Sequence, residues 1–176
     1  AEFRLAARGS WREIVTSEDF WIESDSPVPL GNVTASQSAA GIPGNLPGGD
    51  PSFIIIPPIE QYRADYVFLT PDRYSFDFLR IMAPRTARVL LDSTPLDRVP
   101  GCDLERGTPL QRSLEPASFG YVVYRCQLSF PVIDSALDAE EALQPGEQSD
   151  GVHEVRSNQP IGVIVDGFDR NVSYGY

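Results

Sequence analysis

The chain has 176 residues, of which 41% are hydrophobic and 22% charged, a composition typical of a globular domain with a sizeable core. Its net charge of −11 makes a nucleic-acid backbone an unfavourable partner, and no apolar run is long enough to span a bilayer as a helix. Sixteen prolines and fourteen glycines break helices and favour strands joined by turns. We therefore expect an all-β chain, a jelly-roll-like antiparallel β-sandwich with long loops and little helix, forming a single domain over residues 1–176.

The first third of the chain contains short strand candidates separated by a long loop. Alternation and β-branched residues predict strands at Trp11–Val15, Phe20–Glu23 and Val33–Ser36. The segment from Gly41 to Pro51 is rich in glycine and proline, which predicts a loop. Phe53–Ile56 is a continuous apolar run, typical of a strand buried on both faces.

The middle of the chain predicts three consecutive strands, at Gln61–Leu69, Ser75–Met82 and Ala87–Asp92. Because the connections between them are short, we expect an antiparallel meander. Aromatic residues are dense here, and their alternation favours core packing and cross-strand pairing. The alternative is an exposed aromatic platform that binds a glycan or a protein.

The two cysteines lie 24 positions apart, Cys102 in an irregular region from Ser93 to Pro116 and Cys126 in a strand predicted over Ala117–Phe130. We expect a disulfide between them, which implies an oxidising compartment and would pin the irregular region to the strand. Two unrelated free thiols are the alternative. A zinc site is disfavoured because the chain has only one histidine.

The segment from Asp134 to Asp150 is acidic and contains no arginine. It is interpreted either as a solvated loop or as a cation-attracting lip that contacts a partner. The candidate partner contacts in this segment are Asp138, Glu140, Glu141, Glu147 and Asp150.

The last stretch predicts three short strands, Val152–Arg156, Ile161–Val165 and Phe168–Tyr174, with turns at 157–160 and 166–167. Asp166 and Asp169 are candidate ligands for an irregular calcium site, for which a simple turn is the alternative. We expect no other cofactor.

His153 is the only histidine, so any mechanism that needs an imidazole base depends on it. Its position in the middle of a predicted strand favours a structural role, as a half-buried ring bonded to a carbonyl or carboxylate. No catalytic residues are assigned. Several carboxylates could still converge in a glycosidase-like groove, which keeps a carbohydrate-active enzyme as an alternative; they are Asp50, Glu60, Asp65, Asp77 and Asp92.

Six segments together resemble bacterial members of the IgGFc-binding protein N-terminal domain family. They are FWIESDSPVPL from Phe20, GGDPSFIIIPPIEQYR from Gly48, DYVFLTP from Asp65, GVHEV from Gly151, GVIVDGF from Gly162 and SYGY from Ser173. The resemblance covers most of the chain, from about residue 11 onward. The exclusive use of arginine as the basic residue is consistent with a bacterial genome rich in G and C.

The resemblance implies a secreted or surface-exposed module rich in β-structure. We expect a non-enzymatic interaction module that acts in adhesion or surface assembly. The resemblance does not imply antibody binding. The implied partners are a surface protein or glycan, with self-association as a further option. The alternative in another class is a structural subunit of a surface layer or filament, joined through strand edges. We also expect the chain to be one piece of a longer secreted polypeptide.

Overall fold

The computed structural model describes residues 2–16, 19–72, 74–103, 120–134, 137 and 143–176. Over these residues the structure is all-β and antiparallel, which confirms the predicted fold class; the helices there are two 3₁₀ turns, Ile59–Gln61 and Leu96–Arg98. The strands are β1 (Leu30–Val33), β2 (Phe53–Ile56), β3 (Arg63–Thr70), β4 (Phe76–Pro84), β5 (Val89–Leu91), β6 (Thr94–Pro95), β7 (Cys102–Asp103), β8 (Tyr121–Gln127), β9 (Ser129–Ile133), β10 (Leu143–Gln148), β11 (Gly151–Asp169) and β12 (Val172–Gly175).

The fold is organised around β11, a strand of 19 residues. The first half of β11 pairs with β3 along one edge and with β5 along the other. The second half pairs with β4 along one edge and with β12 along the other. Two antiparallel half-sheets therefore share this strand: β3–β11–β5–β6 and β12–β11–β4–β8–β7.

The two half-sheets enclose one apolar core in a sandwich-like arrangement. Phe68 and Val155 enter this core from the first half-sheet, and Leu79, Ile81 and Val165 enter it from the second. Alternate side chains of a strand point to opposite faces, so the period-two pattern of β4 places Leu79 and Ile81 fully inside. Each such side chain stabilises the fold by about 1.5–3 kcal/mol relative to exposure.

The predicted meander of the three central strands is wrong. β3, β4 and β5 do not pair with one another; each pairs with β11, which begins much later in the chain, at Gly151. Short connections favoured pairing between neighbouring strands. In the structure both edges of β11 are paired, and they take these three strands together with β12.

The prediction of three short strands near the end of the chain is also wrong, because the first two form the single strand β11. The predicted turn at 157–160 is an irregularity within β11, where the register with β3 shifts between Arg156 and Ile161. Pro160 lies in this gap and has no N–H to donate to a ladder. The reverse turn lies at Arg170–Asn171, and Asn171 has a φ of +56°.

Two other expectations are corrected near the start. The strand Phe53–Ile56 has the predicted bounds but is not buried on both faces: Ile54 is 4% exposed, whereas Phe53 and Ile55 are 63% and 68% exposed. Among the described strands it pairs with β1 alone, and the exposed side chains of Phe53 and Ile55 lie on a face of this pair that is open to solvent. Residues 11–15 and 20–23 have no regular secondary structure, and the third predicted strand lies earlier, at Leu30–Val33.

The loop predicted from Gly41 to Pro51 is confirmed as irregular, but its end is packed against the sheet. The Gly49 N–H donates to the Asp169 carbonyl at 3.0 Å. Gly49 has a φ of +69°, and a Cβ there would lie 2.2 Å from Ser173 Oγ and 2.8 Å from Phe168 Cβ. Only glycine meets both requirements at this contact.

The segments around Cys126 and the acidic region also differ from expectation. The strand predicted over Ala117–Phe130 is divided into β8 and β9, with Leu128 between them, and residues 117–119 lie outside the described part of the chain. The acidic segment is not a loop throughout, because its second half forms β10, which pairs with β9.

Candidate functional site

His153 lies on the inward face of β11 and is 5% exposed, so it is more deeply buried than the sequence predicted. Its Nδ1 lies 2.7 Å from Asp92 Oδ2, and its ring stacks on Phe68 with centroids 5.1 Å apart. Asp92 and Ser93 form the two-residue turn between β5 and β6, with φ values of +49° and +68°. Positive φ at both positions defines a type I′ hairpin turn, which aims the Asp92 carboxylate at β11.

The contacts of the other ring nitrogen, Nε2, make a catalytic role of His153 unfavourable. His153 Nε2 lies 3.0 Å from Thr70 Oγ1 and 2.9 Å from the Ser149 carbonyl. Asp92, His153 and Thr70 therefore outline an Asp–His–Thr arrangement. The Thr70 hydroxyl donates to the Ser149 carbonyl at 2.9 Å, so its proton is directed at a backbone oxygen and not at the ring. Thr70 is also 1% exposed, which closes it to a substrate.

A shallow depression of about 410 Å³ lies next to this cluster, where β3 ends and β11 begins. Its lining residues include Leu69, Pro71, Asp72 and Asp150. Partial burial raises the pKa of Asp150, and the nearby Asp77 and Asp72 carboxylates raise it further, while His153 opposes them. The depression therefore combines the neighbouring carboxylates of Asp72 and Asp150 with an apolar lining that includes Leu69 and Pro71.

Asp77 is a buried carboxylate whose role the sequence did not reveal. It is 0% exposed, and it accepts hydrogen bonds of 2.5 Å from Ser129 Oγ and from the Tyr174 hydroxyl. Burial and the hydrogen bond to Asp77 raise the pKa of Tyr174, so the phenol remains a donor. The alternation of β4 places Asp77 on the same face as Leu79, and this pattern was the available signal.

The two calcium candidates on β11 are not brought together. Asp166 accepts from Arg80, with Oδ1 2.8 Å from Nη2, and Asp169 Oδ2 accepts from Ser75 Oγ at 2.7 Å. They are three positions apart on a strand and therefore point to opposite faces. Burial raises the pKa of Asp166, and Arg80 opposes that shift. Within the described residues, no group of three or more His, Cys, Asp or Glu side chains could hold a metal ion.

The candidate partner contacts in the acidic segment lie on different elements. Glu147 belongs to β10, opposite Phe130, and Asp150 lines the depression. Asp138, Glu140 and Glu141 lie outside the described residues.

Three of the five carboxylates considered for a glycosidase, Asp65, Asp77 and Asp92, have separate partners. Asp77 binds Ser129 and Tyr174 in the interior, whereas Asp92 binds His153 at the end of β5. Asp65 is on the outer face of β3, 3.9 Å from Arg156.

The predicted disulfide is confirmed. Cys102 and Cys126 are bonded and lie directly opposite each other where β7 pairs with β8, with Cα atoms 3.9 Å apart. Cys126 is 1% exposed, so one end of the bond is anchored in the core. The bond therefore fixes the edge strand β7 to β8 of the second half-sheet.

The aromatic residues of β4 form cross-strand pairs, as the sequence favoured. Phe168 of β11 stacks on Phe76 and Phe78 with centroid distances of 4.8 and 5.9 Å. All three rings are partly buried.

The outer faces of two strand pairs carry exposed apolar side chains. On β3 and β11 these are Val67, Leu69 and Val152, which are 71%, 52% and 73% exposed. Leu69 and Val152 are direct register partners. The β1–β2 pair presents Val33, Phe53 and Ile55 in the same way.

These features define an all-β domain with closed interior polar clusters and open apolar strand faces. A family model described as IgGFc binding protein matches residues 1–167. The chain belongs to this family. Searches of curated proteins and of solved structures found no match. Among the described residues, no helix is long and apolar enough to cross a membrane.

Proposed function

We propose that this chain is a non-enzymatic protein-binding domain that acts outside the cell or on its surface, in adhesion or surface assembly. Membership of the IgGFc binding protein family is the observation that carries the proposal. The Cys102–Cys126 disulfide supports an extracytoplasmic setting, because such bonds persist in oxidising compartments. The exclusive use of arginine further supports a bacterial member of the family.

The geometry favours binding over catalysis. The hydroxyl of Thr70 and the carboxylate of Asp77 are buried and directed at protein groups, so neither is presented to a substrate. The exposed apolar side chains Val67 and Val152, in contrast, lie on paired strands that hold them in fixed positions. Apolar side chains presented by a rigid sheet mark an interaction surface.

The acidic residues supply a second part of the proposal. Asp150, together with Asp72, crowds negative charge at the depression, which favours a cationic group of the partner, with calcium as the alternative cation. The remaining proposed contacts in this segment are Asp138, Glu140, Glu141 and Glu147.

The test is localisation followed by attachment. The tagged chain, expressed in its natural cell, is expected in the medium or on the cell surface, and the purified domain is expected to attach to those cells saturably. Protease treatment of the cells should abolish attachment, while a glycosidase should not. A cytoplasmic location or unsaturable attachment would refute the proposal, and sensitivity to the glycosidase alone would indicate a glycan partner.

A structural subunit is the second candidate, and the one-sided pairing of β3 favours it. Of the described strands, β3 pairs only with β11, so its other edge is available to join copies. Sedimentation of the purified chain separates the two candidates: a binding domain stays monomeric as its concentration rises, whereas a subunit polymerises.

A further inference from the structure

The open edge of β3 has a defined pattern of backbone groups. In an antiparallel pair, the N–H and C=O of alternate residues point away from the paired strand. The Leu69 N–H donates to the Tyr176 hydroxyl at 3.1 Å, and that hydroxyl donates to the Leu69 carbonyl. The N–H and C=O of Leu69 therefore point away from β11. The same holds for the N–H and C=O of Asp65 and Val67, which alternate with Leu69 along the strand.

The Tyr176 hydroxyl covers the edge at Leu69 only. In the described part of the chain, no group bonds to the outward N–H and C=O of Asp65 or Val67. Two donors and two acceptors at strand spacing are thus presented together at this edge. Such a row is a template for another strand.

Exposed apolar side chains lie beside the outward backbone groups of Val67. Val67 is 71% exposed, and the adjacent pair Leu69 and Val152 is 52% and 73% exposed. A strand added to the β3 edge would place its own alternate side chains next to Val67 on this outer face.

We propose that the edge of β3 binds an extended segment of a partner protein as an added strand, paired through Asp65 and Val67, and that this segment is basic with apolar residues at alternate positions. This inference rests on the proposed function, because it names how that function recognises its partner. Main-chain pairing supplies affinity in this mode, and the alternate side chains supply specificity.

Charge selects the partner over a second copy of the chain. The side chains around the edge carry two charges of each sign, from Arg63, Asp65, Glu154 and Arg156. These local charges favour neither a basic segment nor a second copy of the chain. The net charge of −11 then decides, since it repels another copy and steers a basic segment to the surface. Pairing Asp65 of one copy with Val67 of another would also bring two Asp65 side chains into diagonal contact.

The test uses labelled peptides of sequence Thr-Val-Arg-Val-Arg-Val-Thr, with glutamate in place of both arginines as the charge control, measured by fluorescence anisotropy at low salt. The basic peptide is expected to bind saturably and at least about tenfold more tightly than the acidic one. Val67→Pro removes one outward N–H without removing a bond to β11, and should weaken binding by about tenfold. Val67→Thr retains that N–H and should retain most of the binding.

A measurement on the wild-type chain removes any dependence on how Val67→Pro folds. Two further peptides carry N-methyl groups on alternate residues, one on the odd positions and one on the even positions. Strand pairing predicts that one of them loses binding and the other keeps it. Equal binding of both, equal binding of the basic and acidic peptides, or no binding would overturn the inference.

The remaining outcomes separate this inference from the proposed function. Self-association that Val67→Pro abolishes would make a second copy the occupant and overturn the basic partner. Attachment of Val67→Pro to cells as strong as that of the wild type would overturn the edge inference and leave the proposed function in place. Failure of the wild type itself to attach would refute the proposed function.

Discussion

His153 Nδ1 and Asp92 Oδ2 are 2.7 Å apart, although the two residues are 61 positions apart in sequence. Asp92 also accepts a hydrogen bond from the Glu154 N–H through Oδ1 at 2.9 Å. One carboxylate therefore fixes both the side chain and the backbone of β11, at a turn whose residues are held at positive φ. The cluster joins the end of β5 to the strand shared by the two half-sheets.

Replacing His153 with glutamine is expected to lower the free energy of unfolding by about 2 kcal/mol, because both ring nitrogens lose their partners in a buried site. Urea denaturation measures the change. Asp65→Asn is the control, since its side chain is 74% exposed and its ion pair contributes about 0.5 kcal/mol or less. Equal losses in the two variants would mean that the histidine cluster does not stabilise the fold.

Replacing Asp77 with asparagine should lower the free energy of unfolding by about 2–3 kcal/mol. The amide oxygen keeps one acceptor, but the amide nitrogen would face a hydroxyl donor from Ser129 or Tyr174. Differential scanning calorimetry checks this, with the exposed Asp25→Asn as the matched control. A melting temperature unchanged from the wild type would contradict the assigned role.

Reducing the disulfide, or replacing Cys102 and Cys126 together with serine, should destabilise the protein by about 3 kcal/mol, the loop-entropy value for a separation of this size. Thiol labelling of the denatured, unreduced protein should find no reactive cysteine. Labelling of both residues would contradict the bond, and an unchanged urea midpoint after reduction would contradict its stabilising effect.

Alkaline titration should reveal tyrosines that ionise late. Burial, with smaller contributions from Tyr121 and Tyr66, raises the pKa of Tyr62 to about 12, and burial also raises the pKa of Tyr124 and of Tyr174. A raised folded-state pKa favours the neutral phenol, so this stabilisation is complete below pH 10 and is lost as the pH rises through about 12.

Near-ultraviolet absorbance should therefore show a late phase of tyrosine ionisation in the folded protein, contributed by Tyr62, Tyr124 and Tyr174. In denaturant, all of them should titrate together near pH 10, the value of an unperturbed tyrosine. Tyr62→Phe should remove part of the late phase. A single transition near pH 10 in the folded protein would show that these phenols are accessible to solvent.

The sequence predicted the local features of the fold well and its long-range pairing poorly. Turn chemistry and alternation indicated an all-β chain, and two cysteines with no competing partner indicated the disulfide. The partners of β3, β4 and β5 depend on contacts with a strand far along the chain, which neighbour rules cannot reveal. Those rules placed the three strands side by side.

Gly167 explains why the sequence wrongly predicted a turn at 166–167, within β11. Asp166–Gly167 has the composition of a turn, but the glycine is there because the structure is crowded: a Cβ would lie 2.4 Å from the Tyr174 ring and 2.6 Å from the Phe76 carbonyl. Asp166 is tolerated within the strand because Arg80 pairs with it. A glycine required by close packing and one required by a turn look the same in a sequence.

The shared strand determines where the length of this chain can vary between related proteins. One residue added within 151–156 or 162–169 would shift the register of that half of β11. The residues of that half between the addition and the next irregularity would then present their side chains to the opposite face. The three residues from Asn158 to Pro160 lie between the two registers with β3 and after the pairing of Ser157 with Val89 of β5, so a gain or loss there leaves both half-sheets in alignment. Insertions and deletions among relatives should therefore concentrate at this position and in the surface loops, and be rare in the rest of β11.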